Sequence, residues 1–282
     1  MESSNNRIGG VTVMDNTLKE IFGVEKPIIG MAHFLPLPGN YLYDDSGGIK
    51  AIENGIIKDV EALQAGGIDS IMFCNEHDRP YSFKAGPAAI ATMAYVIADV
   101  KPHLKVPFGV DVLWDPIAAL GLAKATGASF VREIFTNVYS GDIGIWQTNC
   151  NETFRYRKLI GAEDIKLFFT VNAEFSAPLA ERPLSIVTKS MIMSSLPDAV
   201  LISGPITGKV AEMDLFKEVK ANAKDVPVLA NTGVSLETVA DILKVVDGAI
   251  IGTAFKVDGI TWNSVDKERV KKVMDKVCSL RK

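Results

Sequence analysis

The chain has 282 residues, 48% of them AVILMFWYC and 23% DEKR, with a mean hydropathy of +0.18. That is enough apolar material for a sizeable core and excludes a disordered chain. A formal charge of -4, from 30 Lys and Arg against 34 Asp and Glu, gives no bulk attraction to nucleic acid or to an anionic membrane surface, so an anionic ligand must be held locally.

Cys74, Cys150 and Cys278 are scattered, with no CxxC pair and no metal-ligand spacing, which fits a reducing, cytoplasmic location. No apolar run reaches the roughly 18 residues of a membrane span, and the opening MESSNNRIGG is polar where a signal peptide is apolar, so membrane insertion is not expected. Residues 1–20 read as a tail or a cap on one end of the fold, and residues 21–282 as a single domain. In chain order, short β-branched runs predict strands over 27–33, 68–74, 106–113, 129–134, 165–172, 199–203, 226–231 and 248–252. Amphipathic stretches between them predict helices over 48–65, 87–100, 116–126, 151–159, 183–195, 213–223 and 236–245, with a last helix over 266–280. Eight alternating pairs favour an α/β fold of the (β/α)8 TIM-barrel type over a doubly wound sheet, and no GxGxxG follows the first strand.

In a barrel the loops after the seventh and eighth strands commonly cradle a phosphate, because small residues let backbone N–H groups approach the anion. The seventh strand here ends in Asn231, Thr232 and Gly233, the eighth in Gly252 and Thr253, and the sixth in Ser203 and Gly204, followed by Thr207 and Gly208. Helix capping explains any one of these turns, but less readily glycine plus hydroxyl at three neighbouring strand ends. These residues are therefore read as a site for a small phosphorylated molecule.

Polar residues at the other strand ends point toward the barrel mouth and are candidates for chemistry. They are His33 on the first strand, Asn75, Glu76, His77 and Asp78 after the second, Asp111 and Asp115 on the third, Arg132 and Glu133 on the fourth, and Asn172 and Glu174 on the fifth. Strand alternation implies that Arg132 and Glu133 do not both face the mouth. Asp111 lies in an apolar run and needs a partner, which Arg132 on the next strand can supply. The pair reads either as a structural ion pair or as an acid/base carboxylate beside an oxyanion-binding cation. The candidate catalytic set is Asp111, Arg132, Glu174, Asn172, His33 and Asn75. No strand places a Lys at its C-terminal end for Schiff-base chemistry; Lys209 and Lys256, in the following loops, suit contact with a phosphate better. Asp111, Glu174 and His33 also offer an oxygen-rich set for a divalent metal, although no close-spaced ligand motif accompanies them.

The run from Pro27 to Gly39, PIIGMAHFLPLPG, resembles the opening of the BtpA/SgcQ family, GMVHLxPLPG. The resemblance continues through Asn75, Asp78 and Pro80, Arg132, Arg155-Tyr156-Arg157, Ala177-Pro178-Leu179, the run Ser203 to Gly208, Gly233-Val234, Gly252-Thr253 and Asn263 to Asp266. It implies a TIM barrel related both to a photosystem I biogenesis protein and to proteins of sugar-utilisation operons. The chain departs from the family form ADxHVKHAxPL on the fifth strand, where it has Phe169 to Leu179, FTVNAEFSAPL, and carries Cys74 and Asp111 where many relatives have Glu and Asn. Two readings follow. One is an enzyme acting on a sugar phosphate or phosphoribosyl compound by isomerase, epimerase or lyase chemistry. The alternative is a non-catalytic assembly or regulatory factor for biogenesis of a membrane complex of the photosystem I type. A homo-oligomer is expected in either case.

Overall fold

The computed structural model describes residues 17–281. Helix α1 (Thr17–Phe22) precedes a chain of strands and helices that runs β1 (Ile28–His33), α2 (Gly48–Ala65), β2 (Ser70–Cys74), α3 (Pro87–Val100), β3 (Phe108–Asp111), α4 (Pro116–Thr126) and β4 (Phe130–Ile134). It continues through β5 (Val138–Gly141), β6 (Gly144–Gln147), α5 (Cys150–Leu159), β7 (Lys166–Thr170), β8 (Ser176–Pro178), α6 (Leu184–Ser195) and β9 (Ala199–Ile202). It ends with α7 (Met213–Asn222), β10 (Val228–Ala230), α8 (Val239–Leu243), β11 (Gly248–Ile251) and α9 (Lys267–Leu280). Strands β1, β2, β3, β4, β7, β9, β10 and β11 close into a parallel eight-stranded barrel, β11 pairing with β1. These are the eight strands expected from the sequence, so the fold is a TIM barrel in a single domain.

Alternation along each strand sorts the apolar residues into two layers. Ile28, Ile71, Val110, Val131 and Phe169 pack outward under the helices. Ile29, Met31, Met72, Phe130, Phe168 and Leu229 fill the interior. The lower end is closed by α1, whose Phe22 meets Phe130 edge-on at 5.3 Å between ring centroids, while Phe130 stacks on Phe168 at 5.0 Å. Of the segment read as tail or cap, 17–20 belong to α1 and 1–16 lie outside the described residues.

One element was not anticipated. The long loops after the fourth and fifth barrel strands form a small antiparallel sheet of order β6-β5-β8 beside the barrel mouth. Its runs are too short and too Gly-rich to stand out from loop, and aromatic packing secures it. Trp146 lies 4.4 Å from Phe135 and 5.5 Å from Phe83, with Trp114 alongside at 6.2 Å. Among the described residues no helix is long and apolar enough to cross a membrane.

Candidate functional site

The floor of the mouth is built on β4, where the register against β7 shifts between Val131 and Ile134 and Glu133 takes φ 60°. A bulge of this kind breaks the in-out alternation. Arg132 and Glu133 consequently line one cavity together, correcting the expectation that only one of them faces it. Arg132 is held rigidly. Its Nε donates to Asp111 Oδ2 at 2.6 Å and its Nη1 to Asn231 Oδ1 at 2.6 Å, leaving Nη2 3.6 Å from Glu133 Oε1. It is the one Lys or Arg among the cavity-lining residues. Asp111 is fully buried behind it and outside the cavity lining, so its observed part is to neutralise and orient the guanidinium.

Three glutamates, Glu76, Glu133 and Glu174, share that cavity. The Thr207 hydroxyl lies 3.3 Å from Glu76 Oε1 and 3.4 Å from Glu174 Oε2, linking the two carboxylates through one proton. Tyr81 donates to Glu76 Oε1 at 3.2 Å, and Thr232 donates to Glu174 Oε1. Burial, reinforced by the Glu174 charge, pushes Glu76 up to about 7. Burial likewise raises Glu174, and it raises Glu133 well above the usual carboxylate range with help from the nearby Asp111 charge. His33 also lines the cavity; burial and the positive charge of Lys256 lower it well below its ordinary value, so its ring is neutral at pH 7. The arrangement sets Glu76, a carboxyl that titrates near neutrality, and two further raised carboxyls beside a fixed guanidinium.

The small-residue rim completes the wall. Ser203, Asn231, Thr232, Gly233, Gly252 and Thr253 line the cavity, whereas Gly204 does not. Gly204 is instead demanded by close packing, since a Cβ there would lie 1.6 Å from the Lys209 carbonyl oxygen. Gly233, at φ +72°, would bring a Cβ within 2.0 Å of Val210 N. Gly252 differs from both, because a Cβ there meets only His33 and Met31 at ordinary contact, 3.4 Å. Asn231 ties the rim to the floor by donating to Ser203 Oγ at 2.7 Å while accepting from Arg132.

Other sequence candidates serve elsewhere. Asn75 accepts the Leu113 N–H at 2.9 Å and reaches Asp78 at 3.3 Å, outside the cavity. Asn172 clamps the backbone of Ser203 through bonds of 2.7 and 3.0 Å. Lys256 is 1% exposed and paired with Asp59 at 2.6 Å, so its ammonium is not offered to a phosphate in the mouth, and Lys209 lines a different cavity. Among the described residues no group of three or more His, Cys, Asp or Glu is placed to hold a metal ion, and the proposed set of Asp111, Glu174 and His33 is broken by the commitment of Asp111 to Arg132.

Sequence reasoning placed Glu76 at a strand end but left it out of the catalytic set. It missed the pairing of Glu133 with Arg132 and the aromatic wall of Tyr81, Trp114, Phe135 and Phe175. Trp114, Glu133 and Phe175 all take positive φ, 54°, 60° and 55°, placing three left-handed non-glycine residues on the wall of this one cavity. About 50 Å³ of space remains inside.

The BtpA family model matches residues 24–279. The sgc region protein SgcQ of Escherichia coli (strain K12) is 42% identical over 265 residues, spanning 94% of this chain and 99% of its own length. The photosystem I biogenesis protein BtpA of Synechocystis sp. is 27% identical over 256 residues, 90% and 88% of the two chains. Among solved structures, (S)-3-O-geranylgeranylglyceryl phosphate synthase from Thermoplasma acidophilum, in complex with its substrate sn-glycerol-1-phosphate, superposes with a TM-score of 0.57. It covers 94% of this chain and 98% of its own at 14% identity, a likeness of fold.

Proposed function

The chain belongs to the BtpA family, and from that premise we propose that it is an enzyme acting on a small phosphorylated metabolite, a sugar phosphate or phosphoribosyl compound. The chemistry is proton transfer of the isomerase, epimerase or lyase type. One observation carries this reading: Glu76 and Glu174, joined through Thr207, share a cavity with Arg132 and the glycine-and-hydroxyl rim. The phosphate rests on the rim at Gly233, Gly252 and Thr253. Glu174 takes a proton from carbon beside a carbonyl, Arg132 stabilises the enolate charge that develops on that carbonyl oxygen, and Glu76 returns a proton. An aldehyde- or ketone-bearing sugar phosphate presents such a C–H group within a few bonds of its anchor. The synthase of similar fold is described with a phosphorylated substrate, sn-glycerol-1-phosphate, which favours a phosphorylated ligand here.

The second reading, a non-catalytic assembly or regulatory factor, is supported by the name of the Synechocystis relative and by the altered fifth-strand motif around Asn172 and Glu174. A thermal-shift screen separates the two. Sugar phosphates, phosphoribosyl compounds, nucleotides and inorganic phosphate are tested with and without Mg²⁺ on the wild type and on Gly252→Asp, which places a carboxylate on the rim where a Cβ meets its neighbours at ordinary contact. A ligand at 100 times its Kd adds about 2.7 kcal/mol of stability. The enzyme reading predicts a phosphorylated hit that is lost in the variant. Silence across the panel, with folded protein, overturns it in favour of the factor.

A further inference from the structure

A second cavity, of about 550 Å³, lies outside the barrel mouth, between the small sheet and the N-terminal end of α6. It shares one wall with the mouth, the turn that starts at Ser203. On its walls the Ser176 hydroxyl is buried with no hydrogen-bond partner, and Tyr139, 2% exposed, has the Asn137 side chain as its hydrogen-bonding neighbour. An orphaned buried hydroxyl is costly unless a partner arrives. Two cations, Arg182 and Lys209, also line the cavity against a single acid, Glu212. Arg182 is steadied there by donating from Nη2 to Asn137 Oδ1 at 2.8 Å.

We propose that this cavity is a second ligand site, distinct from the mouth, that takes a small organic anion through Arg182, Lys209, the unpartnered hydroxyl of Ser176 and the hydroxyl of Tyr139. The ligand is a carboxylate or phosphate of metabolite size, since the walls combine convergent donors with the apolar faces of Val171, Val187 and Leu215. It goes beyond the reading of the mouth and does not depend on it. The partition between the sites runs through Asn172, which lines this cavity and fixes the Ser203 backbone, while the Ser203 hydroxyl receives Asn231 on the mouth side. Occupancy here therefore touches the residue that positions the rim.

Backbone-amide NMR titrations with citrate, ribose 5-phosphate and inorganic phosphate test the proposal, the first probe reporting a carboxylate source and the other two a phosphate. Saturable shifts at Tyr139, Asn172, Ser176 and Lys209 with at least one probe are expected. The double variant Arg182→Gln, Lys209→Gln, whose side chains are exposed and outside the mouth, weakens that binding by about tenfold or more, and Tyr139→Phe by a smaller factor. Shifts confined to Thr232, Gly233, Gly252 and Thr253 overturn the proposal while leaving the mouth reading intact. Shifts at the second cavity alone uphold it and count against the mouth, and a spectrum unchanged by all three probes overturns it.

Discussion

Glu76 is the residue whose chemistry is most sharply set by its surroundings. An unfolded glutamate titrates near 4.5 and the folded Glu76 near 7, so between those pH values the native state holds a proton that the unfolded chain has released. Native stability accordingly falls as pH rises through that window and levels off above it. Glu76→Gln removes the share of this slope that Glu76 contributes, and above pH 7 the variant is more stable than the wild type by on the order of 3 kcal/mol, read from denaturant melts across the window. A wild type whose stability rises between pH 5 and 7 more steeply than that of the variant would contradict the placement of Glu76. The rim glycines give a second contrast. Gly233→Ala forces a Cβ into the Val210 backbone from a left-handed φ and costs more than 1 kcal/mol, whereas Gly252→Ala changes stability by less than about 1 kcal/mol, checked in the same melts.

At the scale of elements, what the sequence revealed follows from which signals are local. The eight barrel strands are legible because each is a β-branched run bounded by Gly, Pro or Asp, and the rim because its glycines and hydroxyls sit just beyond those runs. The bulge in β4 was not legible. Phe130-Val131-Arg132-Glu133-Ile134 reads as plain alternation, and only pairing with β7 shows the slipped register that turns Glu133 into the mouth. The fates of Asn75 and Lys256 are likewise decided by partners distant in sequence, Leu113 and Asp59, whereas the pairing of Asp111 with Arg132 was legible from an acid stranded in an apolar run. Helix α1 had no strong signal, being six residues long, yet it plugs the barrel floor with Leu18 and Phe22. Phe22→Ala therefore costs about 3–5 kcal/mol by opening space against Phe130, measurable as a lowered denaturation midpoint with the m-value unchanged.

For the molecule as a whole, the barrel gathers three raised glutamates, three left-handed non-glycine residues and its glycine-rich strand ends around one cavity at its mouth. Proteins tolerate such a departure from local preference where function requires it. The central claim is that Glu174 and Glu76 move protons on a ligand anchored by its phosphate. Deuterium exchange tests it without knowing the product: each phosphorylated ligand that stabilises the protein is incubated with it in D₂O and its carbon-bound hydrogens are followed by NMR. The account predicts deuterium uptake at a carbon beside a carbonyl, at a rate lowered about 100-fold or more in Glu174→Gln, in line with the loss of a general base, and unchanged in Arg182→Gln. Tight binding of such a ligand with no deuterium uptake and no turnover would contradict it.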